Sequence, residues 1–111
     1  MSTVNANIKR GSAELAILAL LARGPLHGYE IARRIASETE GVLRFDVASL
    51  YPLLYRMEKR GWVKGYWEEV GGRRRRYYRL APEGKKKLAP LRRQWGAFFQ
   101  ALDRLAGVAD A

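Results

Sequence analysis

The sequence predicts a mainly α fold with one β-hairpin, and three observations carry that prediction. Apolar residues recur at helical spacing through most of the chain, while a short aromatic stretch alternates instead. Paired glycines, Gly71 and Gly72, divide that stretch in two, and a long apolar-striped segment closes the sequence.

Each element can be justified in turn. Ser12 is placed to cap a first helix from Ala13 to about Arg23, stopped by Gly24-Pro25. Leu15, Ile17, Leu18, Leu20 and Leu21 make that helix apolar almost all round, which predicts burial on most faces. A second helix begins near His27-Gly28, carries Tyr29, Ile31, Ala32, Ile35 and Ala36, and stops before Gly41. The third follows Asp46, with Leu50, Leu54 and Met57 on one stripe and Gly61 as its stop. Pro52 lacks an amide donor and is best tolerated in a first turn, so this helix starts near Ala48, or starts at Asp46 and bends.

The period then changes. Trp62–Glu69 and Arg74–Leu80 read as two strands, with Tyr78 and Leu80 pointing inward and Tyr77 and Arg79 outward. Pro82 fits the first position of a final helix striped by Leu88, Leu91, Trp95, Phe98, Phe99, Leu102 and Leu105. Pro90 is expected to kink or split that helix near residues 86–89. Three helices followed by a two-stranded wing form a winged helix-turn-helix. The expected division is an arm at 1–10, a winged domain at 11–81, and a C-terminal dimerisation helix with its tail at 82–111.

Composition narrows the function. The 111 residues suit one domain, and Lys and Arg outnumber Asp and Glu by 21 to 11, for a net charge of +10. Such a field attracts polyanions, nucleic acid first, with anionic membrane surfaces and acidic proteins as competitors. There is no cysteine and only one histidine, His27, so thiol chemistry and the usual zinc ligand sets are excluded. His27 is expected to cap or pack the turn into the second helix. Glu14 and Glu30 lack a second carboxylate at acid–base spacing. The longest apolar run, Leu15–Ala22, is far short of the roughly 20 residues of a membrane span. Residues 1–7 lack the layout of a signal peptide, so a cytoplasmic protein with no cofactor, no metal and no membrane partner is expected.

The ordered motifs RGSAELAILALLARGPLHGYEIARRI (10–35), SLYPLLYRMEKRGWV (49–63) and GGRRRRYYRLAPEGKKKL (71–88) resemble the PadR-like family, the phenolic acid decarboxylase repressors. The short C-terminal part resembles the smaller subgroup. Members often carry glycine where this chain has Ala48, and usually threonine where it has Ala81. Ala81 offers no capping oxygen, a loss of roughly 1 kcal/mol.

The resemblance implies a homodimeric, non-enzymatic regulator of transcription, a repressor, that binds double-stranded DNA. The third helix would enter the major groove with Ala48, Ser49, Tyr51, Pro52, Tyr55 and Arg56 at the contact, Ser49 and Tyr51 foremost. Gly28 and Tyr29 would support it from the second helix, Gly28 by admitting another helix or a phosphate. Arg73, Arg74 and Arg75 on the wing would meet phosphates or a minor groove. The stripe from Leu88 to Leu105 would form the dimer interface. Within it, Trp95, Phe98 and Phe99 would stack on a flat aromatic effector, with dimer packing alone as the bland alternative. The competing function is a protein-interaction module docking an acidic partner, which salt dependence and sequence preference in DNA binding would distinguish. No nucleophile–base pair or phosphate loop supports an enzyme.

Overall fold

In chain order the elements are α1 (Ala6–Leu21), β1 (Leu26–His27), α2 (Gly28–Glu38), α3 (Val47–Lys59), β2 (Val63–Val70), β3 (Arg73–Leu80) and α4 (Pro82–Ala106), with a short 3-10 turn at Val108–Asp110. They are seen in a computed structural model that describes residues 6–110. The strands form one antiparallel sheet in the order β1-β3-β2.

Helix α1 begins at Ala6, so Ser12 lies inside the helix and does not cap it. The apolar run expected to open the helix at Ala13 is its buried second half. Helix α2 starts where His27 offers a ring nitrogen to the Glu30 amide. It ends at Thr39, whose hydroxyl donates to the Ile35 carbonyl (2.7 Å) and accepts from the Leu43 amide (3.0 Å). Helix α3 starts at Val47 with Asp46 as its N-cap residue, which places Pro52 in the second turn. Pro52 has no amide to donate to the Ala48 carbonyl, and the helix runs on through it.

Gly71 and Gly72 hold φ values of +60° and +78°, the two positive values that a type I′ turn demands. That turn fixes the register: Val70 faces Arg73, Trp67 faces Arg76, and Val63 faces Leu80. Tyr78 is buried and Arg79 exposed, as the alternation predicts. The two-residue β1 strand carries no period of its own and was not legible. It is made by its partner, with Leu26 opposite Tyr78 and His27 opposite Tyr77.

Helix α4 runs unbroken through Pro90, so the expected split does not occur. Leu88 and Leu91 pack against the core on either side of the proline and hold the helix there. The core joins Ile17 and Leu18 of α1, Ile31 of α2, Leu50, Leu54 and Met57 of α3, Val63 of β2 and Leu88 of α4. Leu88, expected at an interface with a second copy, therefore belongs to the protomer's own interior. The root of the wing packs tightly on α4. The Ala81 amide donates to the Trp62 carbonyl at 3.0 Å, and a Cβ placed on Gly84 would lie 2.0 Å from that same oxygen.

Candidate nucleic-acid interface

The stripe that buries Leu50, Leu54 and Met57 turns the opposite side of α3 outward. Ala48, Ser49, Tyr51, Pro52, Tyr55 and Arg56 are all exposed there. Tyr51 leans toward the wing, and together with Tyr29, Arg73, Arg74 and Arg75 it lines one cleft. Ser49 and Arg56 line a neighbouring groove between α2 and α3, which shares Tyr29 at its edge. Tyr55, 59 % exposed, has the Lys59 ammonium 5.0 Å from its ring centre. Most of the residues expected at the DNA contact are thus gathered on one side of the molecule, in two adjoining depressions.

Gly28 is the exception. It is buried, and a Cβ built on it would come within 2.9 Å of the Tyr51 hydroxyl and ring. The close approach it permits in this structure is to a side chain of α3.

His27 ties the wing to α2. Its Nδ1 accepts from the Glu30 amide at 3.3 Å, and Arg75 Nη1 lies 2.9 Å from its Nε2. A neutral imidazole offers one lone pair, so the two donors compete for the ring, and the shorter contact is the arginine's. Tyr77 packs edge-on to the same ring at 5.4 Å. Burial, and then the Arg75 charge, hold the His27 pKa below its ordinary value.

Two acids on this side, Glu30 and Glu58, are neutralised locally. Hydrogen bonds from Arg33 (2.5 Å) and Arg34 (3.0 Å) lower the Glu30 carboxyl to about 2, so its charge is spent on its own helix. Glu58 accepts from the Gly65 amide at 3.0 Å and pairs with Arg76 at 3.5 Å, which braces the wing against α3. Arg73 and Arg74 are exposed toward the hairpin tip. The cleft thus combines phenolic donors with unspent guanidinium charge, a chemistry suited to phosphate oxygens.

Sequence reasoning missed two residues here. Trp67 lines the cleft from β2. The glycine turn held the signal, because a two-residue loop at Gly71-Gly72 fixes Trp67 opposite Arg76. Glu58 carried no local signal, since its partners lie on another element.

Along α4 the aromatic cluster is present. Trp95 packs edge-on to Phe98 at 5.7 Å and tilted to Phe99 at 5.8 Å, and its ring reaches Gly11 of α1, where a Cβ would sit 3.1 Å away. Phe98, Phe99 and Leu102 are exposed on the protomer, and Leu105 is 89 % exposed. Among the described residues no group of His, Asp and Glu could hold a metal, and no helix is long and apolar enough to cross a membrane.

The model of the transcriptional regulator PadR-like family matches residues 17–90. A transcriptional regulator from Clostridium thermocellum shares the fold with a TM-score of 0.83 at 31 % identity, over 94 % of this chain and 99 % of that one. A PadR family transcription regulator from Clostridium difficile aligns with a TM-score of 0.73 at 27 % identity, over 84 % of this chain and 96 % of that one. A protein of Lysinibacillus sphaericus is 32 % identical over 101 residues, 90 % of this chain and 93 % of its own length. Matched from the first helix through the wing and into the last helix, this chain belongs to the PadR-like family of transcriptional regulators.

Proposed function

We propose that this regulator is a repressor that binds a pseudo-palindromic operator as a homodimer. The observation that carries the reading is the cleft that sets exposed Tyr51 of α3 across from exposed Arg73 and Arg74 of the wing. Helix α3 enters the major groove, where Ser49 and Tyr51 donate to phosphates or base edges and Arg56 pairs with phosphate or guanine. The wing arginines meet the flanking backbone or minor groove.

Dimerisation supplies the symmetry. The exposed stripe of Phe98, Phe99, Leu102 and Leu105 needs an apolar cover, and a second α4 about a two-fold axis provides one. Leu91 and Trp95 lie at the inner edge of that contact. The two recognition helices then address half-sites one helical turn apart, ~34–36 Å. A flat aromatic effector stacking on Trp95, Phe98 and Phe99 would favour a dimer with the wrong helix spacing and release the operator.

Selection of bound fragments from the source genome by the purified protein tests this. The expected result is an enriched inverted repeat whose promoter is less active when the protein is present. Indifference to DNA at physiological salt overturns the reading in favour of a module docking an acidic partner.

A further inference from the structure

The hairpin register sets Trp67 opposite Arg76, with Arg74 one diagonal step nearer the tip. Residues opposite and diagonal across an antiparallel pair emerge on the same sheet face, so one indole and two guanidinium groups share a side. The ring collects both cations: Arg74 Cζ lies 4.8 Å and Arg76 Cζ 5.5 Å from its centre. Trp67 is 55 % exposed, so this ring is not part of the core, and it faces the cleft shared with Tyr51.

The two arginines differ in what else they do. Arg76 is half-buried and already paired with Glu58. Arg74 is exposed, and its contact with Trp67 is what defines its position. A free arginine loses much rotamer freedom when a phosphate clamps it. One that already lies on an aromatic face loses less, and its fork of donors stays available at the edge.

We infer that Trp67 is a positioning residue for DNA binding, holding Arg74 over the cleft in the arrangement that meets a backbone phosphate. This rests on the DNA-binding reading above and adds to it a residue that acts through another. Because a phosphate contact carries no sequence information, a short random-sequence duplex at low salt is a sufficient probe.

The experiment compares wild type, Trp67→Ala, Trp67→Phe, Arg74→Ala and the Trp67→Ala/Arg74→Ala double variant for duplex affinity, salt slope and Tm. Trp67→Ala is expected to weaken binding about five-fold with the salt slope kept, and Trp67→Phe to restore most of the loss. Arg74→Ala weakens binding and flattens the slope, and the double variant binds no worse than Arg74→Ala alone. A Trp67 that merely supports the strand would give losses that add in the double variant, and that outcome overturns the inference even if Tm falls. So does a Trp67→Ala protein that binds as tightly as wild type. A wild type that binds no duplex at all overturns the DNA-binding reading, and this one with it.

Discussion

Gly28 of α2 lies directly beneath the Tyr51 ring of α3, so close that a methyl group there would stand 2.9 Å from the Tyr51 hydroxyl oxygen. The glycine is at the first position of its helix and has no unusual φ, so its backbone would accept alanine. Its missing side chain serves the tyrosine. Gly28→Ala is expected to displace the Tyr51 ring, which is 41 % exposed and outside the core cluster. The expected result is at least about a ten-fold loss of DNA affinity, the worth of a displaced phosphate hydrogen bond, with a stability change under about 1.5 kcal/mol. Band-shift titration and thermal melting check the two halves, and a Gly28→Ala protein that melts early instead would mean the ring cannot move aside.

At Gly84 the same substitution has the opposite character. Alanine would improve helix propensity by about 1 kcal/mol in open space. Here its Cβ meets the Trp62 carbonyl oxygen at 2.0 Å and carbon at 2.8 Å, and both are backbone atoms. The Ala81 amide already holds that carbonyl, so neither the root of the wing nor the helix can yield cheaply. Gly84→Ala is expected to destabilise the fold by about 3 kcal/mol, measured by urea unfolding.

These two glycines mark where legibility in the sequence ends. Elements that follow from local chemistry were readable: the I′ turn at Gly71-Gly72, the stripe of Leu50, Leu54 and Met57, and Pro82 opening α4. Features created by a partner element were not. Strand β1 exists because Tyr77 and Tyr78 pair with it, and Gly28 is needed because Tyr51 arrives from another helix. Ser12 misled because a serine before an apolar run has the same signature inside a helix as at its start. Leu88 misled because an apolar stripe on α4 does not say which part faces its own core and which part a second copy. For the site, residue types and the order of motifs pointed to α3 and the wing, while the bracing by Glu58 and the seat of Arg74 on Trp67 required the register of two elements at once.

His27 should make stability respond to mild acid. Its folded-state pKa is lowered, so below the ordinary value near 6.5 the unfolded chain binds a proton that the folded one resists. Stability contributed by the neutral ring is therefore complete above that value and falls as pH drops through it toward the lower folded-state pKa. His27→Asn keeps a capping acceptor and removes the titration. Urea midpoints at pH 5 and pH 7.5 should converge for the variant relative to wild type, and an unchanged difference would place the acid sensitivity elsewhere.

The wing arginines differ in kind from Tyr51, because they contribute charge and the tyrosine contributes a donor. Removing Arg73 and Arg74 should flatten the salt dependence of DNA binding by about one to two counterions per protomer. Tyr51→Phe should lower affinity and leave that slope alone. Arg75 is a third case: it is half-buried against His27, so Arg75→Ala is expected to loosen the α2–wing contact as well as the proposed DNA contact. Affinities measured across a salt series separate the three, and equal slopes for wild type and the Arg73→Ala/Arg74→Ala protein would remove the wing from the interface.

The α4 stripe makes a demand that the protomer alone does not meet. Phe99 is 56 % exposed and Leu105 89 % exposed, and neither packs into the core. Charge placed there costs the protomer little but cannot be buried against a second helix. Phe99→Glu/Leu105→Glu is therefore expected to yield a folded monomer with unchanged helix content by circular dichroism. Each half-site is then bound alone, so operator affinity should fall at least about a hundred-fold as the tethering of the second reading head is lost. Sedimentation equilibrium of both proteins decides it: a wild-type monomer, or a double variant that remains dimeric, would remove α4 from the proposed interface and the two-fold operator with it.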